Sequence, residues 1–276
     1  MSTTLLDKIL APDAISTVFQ PIYKIGPAGL KPVIVECLSR GPALTNAAHP
    51  GVFFEYVQLK AAEPQVDRAC AAAALAAIAR LRSPEIFSLN VFAATLVRDS
   101  DFVRWVGAEM KRLNLNPAML IFELVEHGEA WDTQAFLGAL RDLRALGSTI
   151  ALDDVGLAHS NFQRILDCDP EFLKLDRCIV RNCDRDDRRQ ALLRSLALLA
   201  NDLGAHLIAE GVETPTELST LRSHAITLFQ GYLFSRPVPA TQILDILGTN
   251  VPRKPSSSTS EPEPTQSKAK SVGGSV

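Results

Sequence analysis

The sequence predicts an α/β fold, a (β/α)8-like barrel of the TIM type whose first strand runs antiparallel to the rest. Eight short apolar, β-branched runs recur along the chain, and stretches of helical character separate all but the first pair. That first pair is joined by a linker far shorter than the dozen residues a parallel crossover needs, so it reads as a hairpin. A doubly wound open sheet, with the same alternation, is the runner-up.

The hairpin is 17–25 (Thr-Val-Phe-Gln-Pro-Ile-Tyr-Lys-Ile) and 32–40 (Pro-Val-Ile-Val-Glu-Cys-Leu-Ser-Arg), with Gly26, Pro27 and Gly29 between. A helical region, 50–82, follows, and its alanine-rich stretch 69–79 suits close backbone packing. Strand 86–92, helix 94–113 and strand 119–125 come next. The helix Asp132–Leu146 has an Asp N-cap and a glycine stop at Gly147. Strand 149–154 leads to a short helix, 161–166; strand 172–177 leads to helix 188–203, stopped at Gly204. Strand 206–212 precedes a helix opened by Thr214-Pro215-Thr216-Glu217, a capping box with proline at the first helical position. Strand 227–233 and helix 240–247 complete the set. Residues 1–250 read as one domain. Pro, Ser, Thr, Glu and Lys dominate from 251, so 251–276 is expected to be a disordered tail.

Composition narrows the function. With 28 Lys plus Arg against 31 Asp plus Glu, the net charge of −3 offers no basic face for DNA. The 47% apolar content supports a sizeable core, yet no run approaches the roughly 20 residues of a membrane span. Residues 1–15 lack the basic start and apolar centre of a signal peptide. Five cysteines, without a C-x-x-C pair, read as reduced thiols in a bacterial-type cytoplasm rather than a zinc site or disulfide framework. The 276 residues leave no room for a sensory or cyclase domain, so regulation is expected through partners, oligomerisation or expression.

The organising stretch is 149–156, Thr-Ile-Ala-Leu-Asp-Asp-Val-Gly, a hydrophobic strand ending in two carboxylates. Acids are poor strand formers and costly to bury unpaired, so a neutralising cation is expected. Barrels of this type place chemistry at the carboxyl ends of their strands. Those ends deliver Glu36, Asn90, Glu123, Asp153 with Asp154, Lys174, Asp176, Glu210 with Glu213, and Gln230. Hard oxygen ligands without a His or Cys cluster favour Mg²⁺ or Mn²⁺. Two such ions would reverse the sign of an acidic rim, clamp a phosphodiester and activate water. Each residue also has a bland reading: Lys174 as an outward strand residue, Glu213 serving a helix dipole, Asn90 and Gln230 satisfying backbone. Repetition at one end of successive strands is what the bland reading explains badly. His127 and His159 lack ligand spacing, Asp184–Arg189 reads as an exposed helix start, and Cys37 as a small buried residue. No Gly-x-Gly-x-x-Gly, P-loop or His-Glu-x-x-His motif occurs.

Phe19-Gln20-Pro21-Ile22 and Glu36-Cys37-Leu38-Ser39-Arg40 resemble the opening of the EAL-domain family of cyclic di-GMP phosphodiesterases. The likeness continues through Asn90, Glu123-Leu124-Val125-Glu126, Asp153-Asp154-Val155-Gly156, Lys174-Leu175-Asp176, Ala209-Glu210-Gly211-Val212-Glu213 and Gln230-Gly231-Tyr232, covering about 10–248. The resemblance implies a barrel with an antiparallel first strand and a reaction that opens cyclic di-GMP to linear pGpG. It implies that Glu36, Asn90, Glu123 and Asp153 ligate one Mg²⁺ or Mn²⁺, with Asp153 shared and Asp154 holding a second. Lys174 would hold the attacking water or a phosphate oxygen. Glu210 would be the general base or a second-metal ligand. Gln20, Leu38, Arg40 and Gln230 would bind substrate, and Glu126 would steady the loop after strand 149–154. Asp176 and Glu213 stand behind the first set, and a homodimer with a regulatory protein partner is expected.

Two departures stand out. The signature triplet is Glu-Cys-Leu, and the usual Asp-Asp-Phe-Gly-x-Gly-x-Ser-Ser loop is Asp-Asp-Val-Gly-Leu-Ala-His-Ser-Asn. Loss of the Phe and the second glycine removes a packing anchor and a flexible backbone position. The alternatives to an enzyme are a catalytically weak or inactive EAL-type receptor that signals through a protein partner, and a scaffold without nucleotide binding.

Overall fold

The structure, a computed structural model, describes residues 3–27, 29–125, 133–156 and 162–248. The expected Asp132 cap, Glu126, His127, His159 and the tail lie outside them. In chain order the elements are α1 (Leu5–Ile9), β1 (Ser16–Gly26), β2 (Gly29–Arg40), α2 (Pro50–Leu59), α3 (Glu63–Leu81) and β3 (Ile86–Phe92). Then come α4 (Ala93–Arg98), α5 (Phe102–Arg112), β4 (Leu120–Val125), α6 (Thr133–Leu146), β5 (Thr149–Val155) and α7 (Phe162–Cys168). The last third holds β6 (Phe172–Leu175), α8 (Arg177–Val180), α9 (Asp187–Asp202), β7 (His206–Ala209), α10 (Pro215–Ser223), β8 (Leu228–Phe229), β9 (Val238–Pro239) and α11 (Ala240–Gly248).

Strands β2 through β8 are parallel neighbours, and β1 closes the ring by pairing antiparallel with both β2 and β8. The barrel is therefore closed, and the open-sheet alternative falls away. The ninth strand, not expected from sequence, pairs two residues against β1: Val18 with Pro239 and Phe19 with Val238. Pro239 lacks an N–H donor, which an edge strand tolerates.

Two expected helices are each broken. The 50–82 region turns at Ala61 (φ +49), because Pro64 in a continuous helix would clash with the carbonyl of residue 60. The 94–113 region breaks where Asp99 accepts from Nε and Nη2 of Arg68, at 2.6 and 2.8 Å. Strands expected over 206–212 and 227–233 stop at Ala209 and Phe229, where the chain bends toward Gly211 (φ +66) and Gly231. The Gly147 and Gly204 stops and the Thr214–Glu217 capping box form as expected. Among the described residues no helix is long and apolar enough to cross a membrane.

The barrel interior follows from strand alternation. Ile22, Ile34, Ile121, Ala151, Ile208 and Leu228 pack together as an apolar floor, with Phe172 against them. One inward step toward the same end of the barrel, two residues on along the parallel strands and two residues back along antiparallel β1, places Glu36, Glu123, Asp153, Lys174, Glu210, Gln230 and Gln20 above that floor. The outward residues between, such as Cys37, Phe122, Leu152 and Leu173, join the larger core under the helices.

Candidate active site

Lys174 stands at the centre of that polar layer, 1% exposed. Its Nζ lies 2.5 Å from Glu123 Oε2, 2.6 Å from Glu210 Oε1, 3.3 Å from Asp153 Oδ1 and 3.4 Å from Glu36 Oε1. Four carboxylates from β2, β4, β5 and the end of β7 thus converge on one ammonium. Asn90 Nδ2 donates to Glu36 Oε1 at 3.0 Å and Gln230 Nε2 to Glu36 Oε2 at 2.7 Å, so both oxygens of Glu36 are fixed.

The charges are strongly perturbed. Burial works against the Lys174 ammonium, but Asp153, Glu123, Glu210 and Glu36 together hold its pKa well above the usual lysine range. Burial likewise works against Glu36, yet Lys174, Gln230 and Asn90 bring it below its ordinary value. Glu123 goes the other way: burial and the neighbouring Glu36 hold it well above the carboxylate range. Burial lifts Glu210 to about 8, with Lys174 opposing and Asp153 and Glu36 reinforcing. Several carboxylates share one fixed cation, so the site carries surplus negative charge and retains protons.

In a regular strand Asp153 and Asp154 would face opposite sides. The β5–β6 register slips between Leu152 and Val155, and Asp154 takes a left-handed backbone (φ +55). This bulge keeps the second carboxylate beside the first. Burial, Asp153 and Asp176 lift Asp154 to about 6.

Two cavities meet here. One of about 250 Å³ includes Gln20, Lys174, Asp176, Glu210, Glu213 and Tyr232 in its wall. The other, about 400 Å³, opens under α2 beside Phe54, Asp67, Asn90 and Phe92. Glu36, Leu38 and Asp153 belong to both walls. Arg40 lines neither; its Nη1 donates to Ser39 O at 3.0 Å, while burial lowers its pKa and Glu36 and Tyr232 oppose that. Gln20 donates to Ser235 O at 3.1 Å, and Asp176 accepts from Cys178 N at 2.7 Å.

The donor set suits a hard divalent cation: several carboxylates and an amide, with Asp153 Oδ1 and Glu210 Oε1 buried and facing the Lys174 ammonium. Among the described residues, no three acidic, His or Cys side chains already stand in ligating geometry. Lys174 Nζ fills the point on which they converge, so an ion would enter by displacing it from some partners.

The sequence profile of the EAL domain matches residues 4–237. The chain belongs to the EAL family. A relative, the cyclic di-GMP phosphodiesterase RocR of Pseudomonas aeruginosa, is 31% identical over 168 residues, 61% of this chain and 43% of RocR. Among solved structures, the manganese/cy-diGMP complex of Klebsiella pneumoniae BlrP1 at pH 6 aligns with TM-score 0.70 and 28% identity, over 83% of this chain and 57% of that one. A standalone EAL protein from Vibrio cholerae O395, in its c-di-GMP-bound form, shares the fold at TM-score 0.72 and 24% identity, over 82% of this chain and 93% of that one. The chain spans under half the length of the curated relatives it matches.

This EAL domain uses residues that sequence reasoning passed over. Buried Glu217 accepts from Asn182 N, Glu213 N and Thr214 N at 2.9–3.0 Å, tying the loops after β6 and β7 together. Its capping-box pattern was legible, but its bond to Asn182 was not. Arg236 lies 4.1 Å over the ring of Tyr232 at the mouth. Asp67, 4% exposed, sits on the buried face of α3. With Glu63 it is one of two acids on that largely apolar face, and that was its only signal.

Proposed function

We propose that this EAL domain is a phosphodiesterase dependent on Mg²⁺ or Mn²⁺ that opens cyclic di-GMP to linear pGpG. The observation that carries this reading is the convergence of Glu36, Glu123, Asp153 and Glu210 on Lys174 where two cavities meet. A substrate with a scissile phosphate between two nucleoside arms suits that shape, and the names of RocR and of the BlrP1 complex support both ligand and metal class. Glu36, Asn90, Glu123 and Asp153 would hold one ion, and Asp153 with Asp154 a second. Such ions supply Lewis-acid stabilisation of the phosphoryl oxygens and lower the pKa of water.

The chain's own residues do the rest. Glu210, titrating near neutrality, takes the proton of the attacking water. Lys174 holds that water or a phosphate oxygen in line. Water adds to phosphorus, the ester P–O bond breaks, and the leaving ribose oxygen takes up a proton from solvent water. Gln20, Leu38, Arg40 and Gln230 orient the substrate, with Asp176 and Glu213 behind them and Glu126 steadying the loop after β5. The same reading makes 1–250 the working domain of a cytoplasmic homodimer that answers to a protein partner.

Purified protein incubated with cyclic di-GMP and Mg²⁺ or Mn²⁺, followed by chromatography, tests the reading. It expects pGpG, abolished by Glu36→Ala and by Glu210→Ala. Tight binding without product would overturn it in favour of a receptor, and absence of binding would leave a scaffold. The receptor remains the second reading because the loop after Asp154 departs from the family pattern and loop ordering can gate turnover without touching binding.

A further inference from the structure

Helix α4 follows directly from the strand that carries Asn90, and its N-cap residue, Phe92, supplies no side-chain cap. The missing cap comes from another helix. Asp67 Oδ2, on α3, accepts the Phe92 N–H at 2.9 Å and the Thr95 hydroxyl at 2.5 Å. In an ordinary capping box the third helical residue reaches back to the N-cap N–H. Here that residue is Thr95, too short for the task, and Asp67 bridges the two groups. Arg68–Asp99 and Arg98–Glu63 then fasten the far end of α4 to the same helix.

We propose that Asp67 is a positioning residue that sets the end of β3, and through it the Asn90 side chain, for metal binding. The proposal rests on the metal-dependent reading of the site. Asn90 lies two residues before the clamped N–H and donates to Glu36 at 3.0 Å. Asp67 and Asn90 also line the same cavity. A carboxylate this deeply buried, with one partner, Phe92, in that wall and the other, Thr95, buried behind it, holds the junction rigid; groups that orient metal ligands typically change affinity 10–100-fold when removed.

The test is Mn²⁺ titration of the metal-free full chain followed by electron paramagnetic resonance of the free ion, without nucleotide. A parallel NMR spectrum records the Asn90 side-chain amide. Asp67→Ala is expected to weaken Mn²⁺ binding by about 10-fold or more and to shift the Asn90 amide in the metal-free protein. Thr95→Val, which keeps shape and fold, should move both readouts in the same direction by less. Asp67→Asn, which can still accept from Phe92, should restore most of the affinity. Arg68→Ala loosens only the far end of α4 and should leave both near wild type despite a lower Tm. A folded Asp67→Ala or Thr95→Val protein with wild-type Mn²⁺ affinity and an unmoved Asn90 amide overturns the proposal, as does an equal loss in Arg68→Ala. If wild type takes up no Mn²⁺, the metal reading fails by itself, and the Asn90 amide still reports whether Asp67 sets it.

Discussion

Lys174 and Glu210 meet across neighbouring strands, Nζ to Oε1 at 2.6 Å, and the same ammonium reaches three further carboxylates. A buried ion cluster of this kind is poor evidence for stability, but removing its single cation strands the acids. Lys174→Met should destabilise the metal-free protein by about 3–5 kcal/mol at neutral pH. Mn²⁺ should raise the Tm of this variant more than that of wild type, since it restores positive charge to the same place. Differential scanning fluorimetry with and without Mn²⁺ checks this; equal shifts would count against a shared locus. Turnover should not return, because the ion cannot replace the lysine proposed to hold the attacking water or a phosphate oxygen.

Glu210 gives the pH dependence its sign. Its folded pKa, about 8, lies above the unfolded carboxylate value, so the native state retains a proton that the unfolded chain releases. The group's stabilising effect is complete below pH about 4 and is lost progressively as pH rises to about 8, at up to ~1.4 kcal/mol per unit. Glu210→Gln cannot ionise. Without metal, its stability relative to wild type should therefore improve between pH 5 and pH 8, measured by urea denaturation. A gap independent of pH would show that Glu210 is already ionised across the range.

Why so much of the site was legible follows from strand geometry. In β4, Ile121 and Glu123 face inward while Phe122 faces the helices, and the same two-residue step recurs from Ile34 to Glu36, Ala151 to Asp153 and Ile208 to Glu210. Period-two alternation therefore carries both the floor and the acids in the linear sequence. What it does not carry is contact between distant elements. Asp67 caps a helix 25 residues further on, and β9 is a two-residue strand set by its partner β1. The pairing of Asp154 with Asp153 depends on a bulge and a left-handed backbone, which no propensity at an Asp-Asp step dictates.

Cys37 tests the departure in the signature triplet. Alternation turns it outward from Glu36, and it is 3% exposed in the same core that holds Ala74 and Leu75. Burial and the neighbouring Glu36 and Glu123 hold its thiol well above the usual range, so it is an inert packing group. Cys37→Ala, which restores the Glu-Ala-Leu sequence, should cost about 1 kcal/mol or less for one lost sulfur contact. Its kcat and KM for cyclic di-GMP should stay within about twofold of wild type, since a change of that size is under ~0.4 kcal/mol in barrier height. A large change in KM would mean that the triplet's middle position reaches the substrate after all.

Gly231 is a backbone position at the site that leaves no space for a side chain. A Cβ there would sit 2.1 Å from Val212 O and 2.3 Å from Val212 N, both backbone atoms that cannot swing aside. The contact is fixed from both sides: Val212 N donates to Gln230 O, and Leu233 N to Val212 O, each at 3.0 Å. One methyl group must therefore push the segment after Glu210 away from the segment carrying Gln230. Gly231→Ala should cost about 1–3 kcal/mol in stability from overpacking. The catalytic loss should be larger, since a displacement near 1 Å of reacting groups lowers rate by about 100-fold. Because Glu210 and Gln230 are moved rather than removed, kcat should fall while Mn²⁺ affinity, assigned by the proposed function to Glu36, Asn90, Glu123 and Asp153, should change little. Loss of both together would place Glu210 among the ligands rather than at the attacking water.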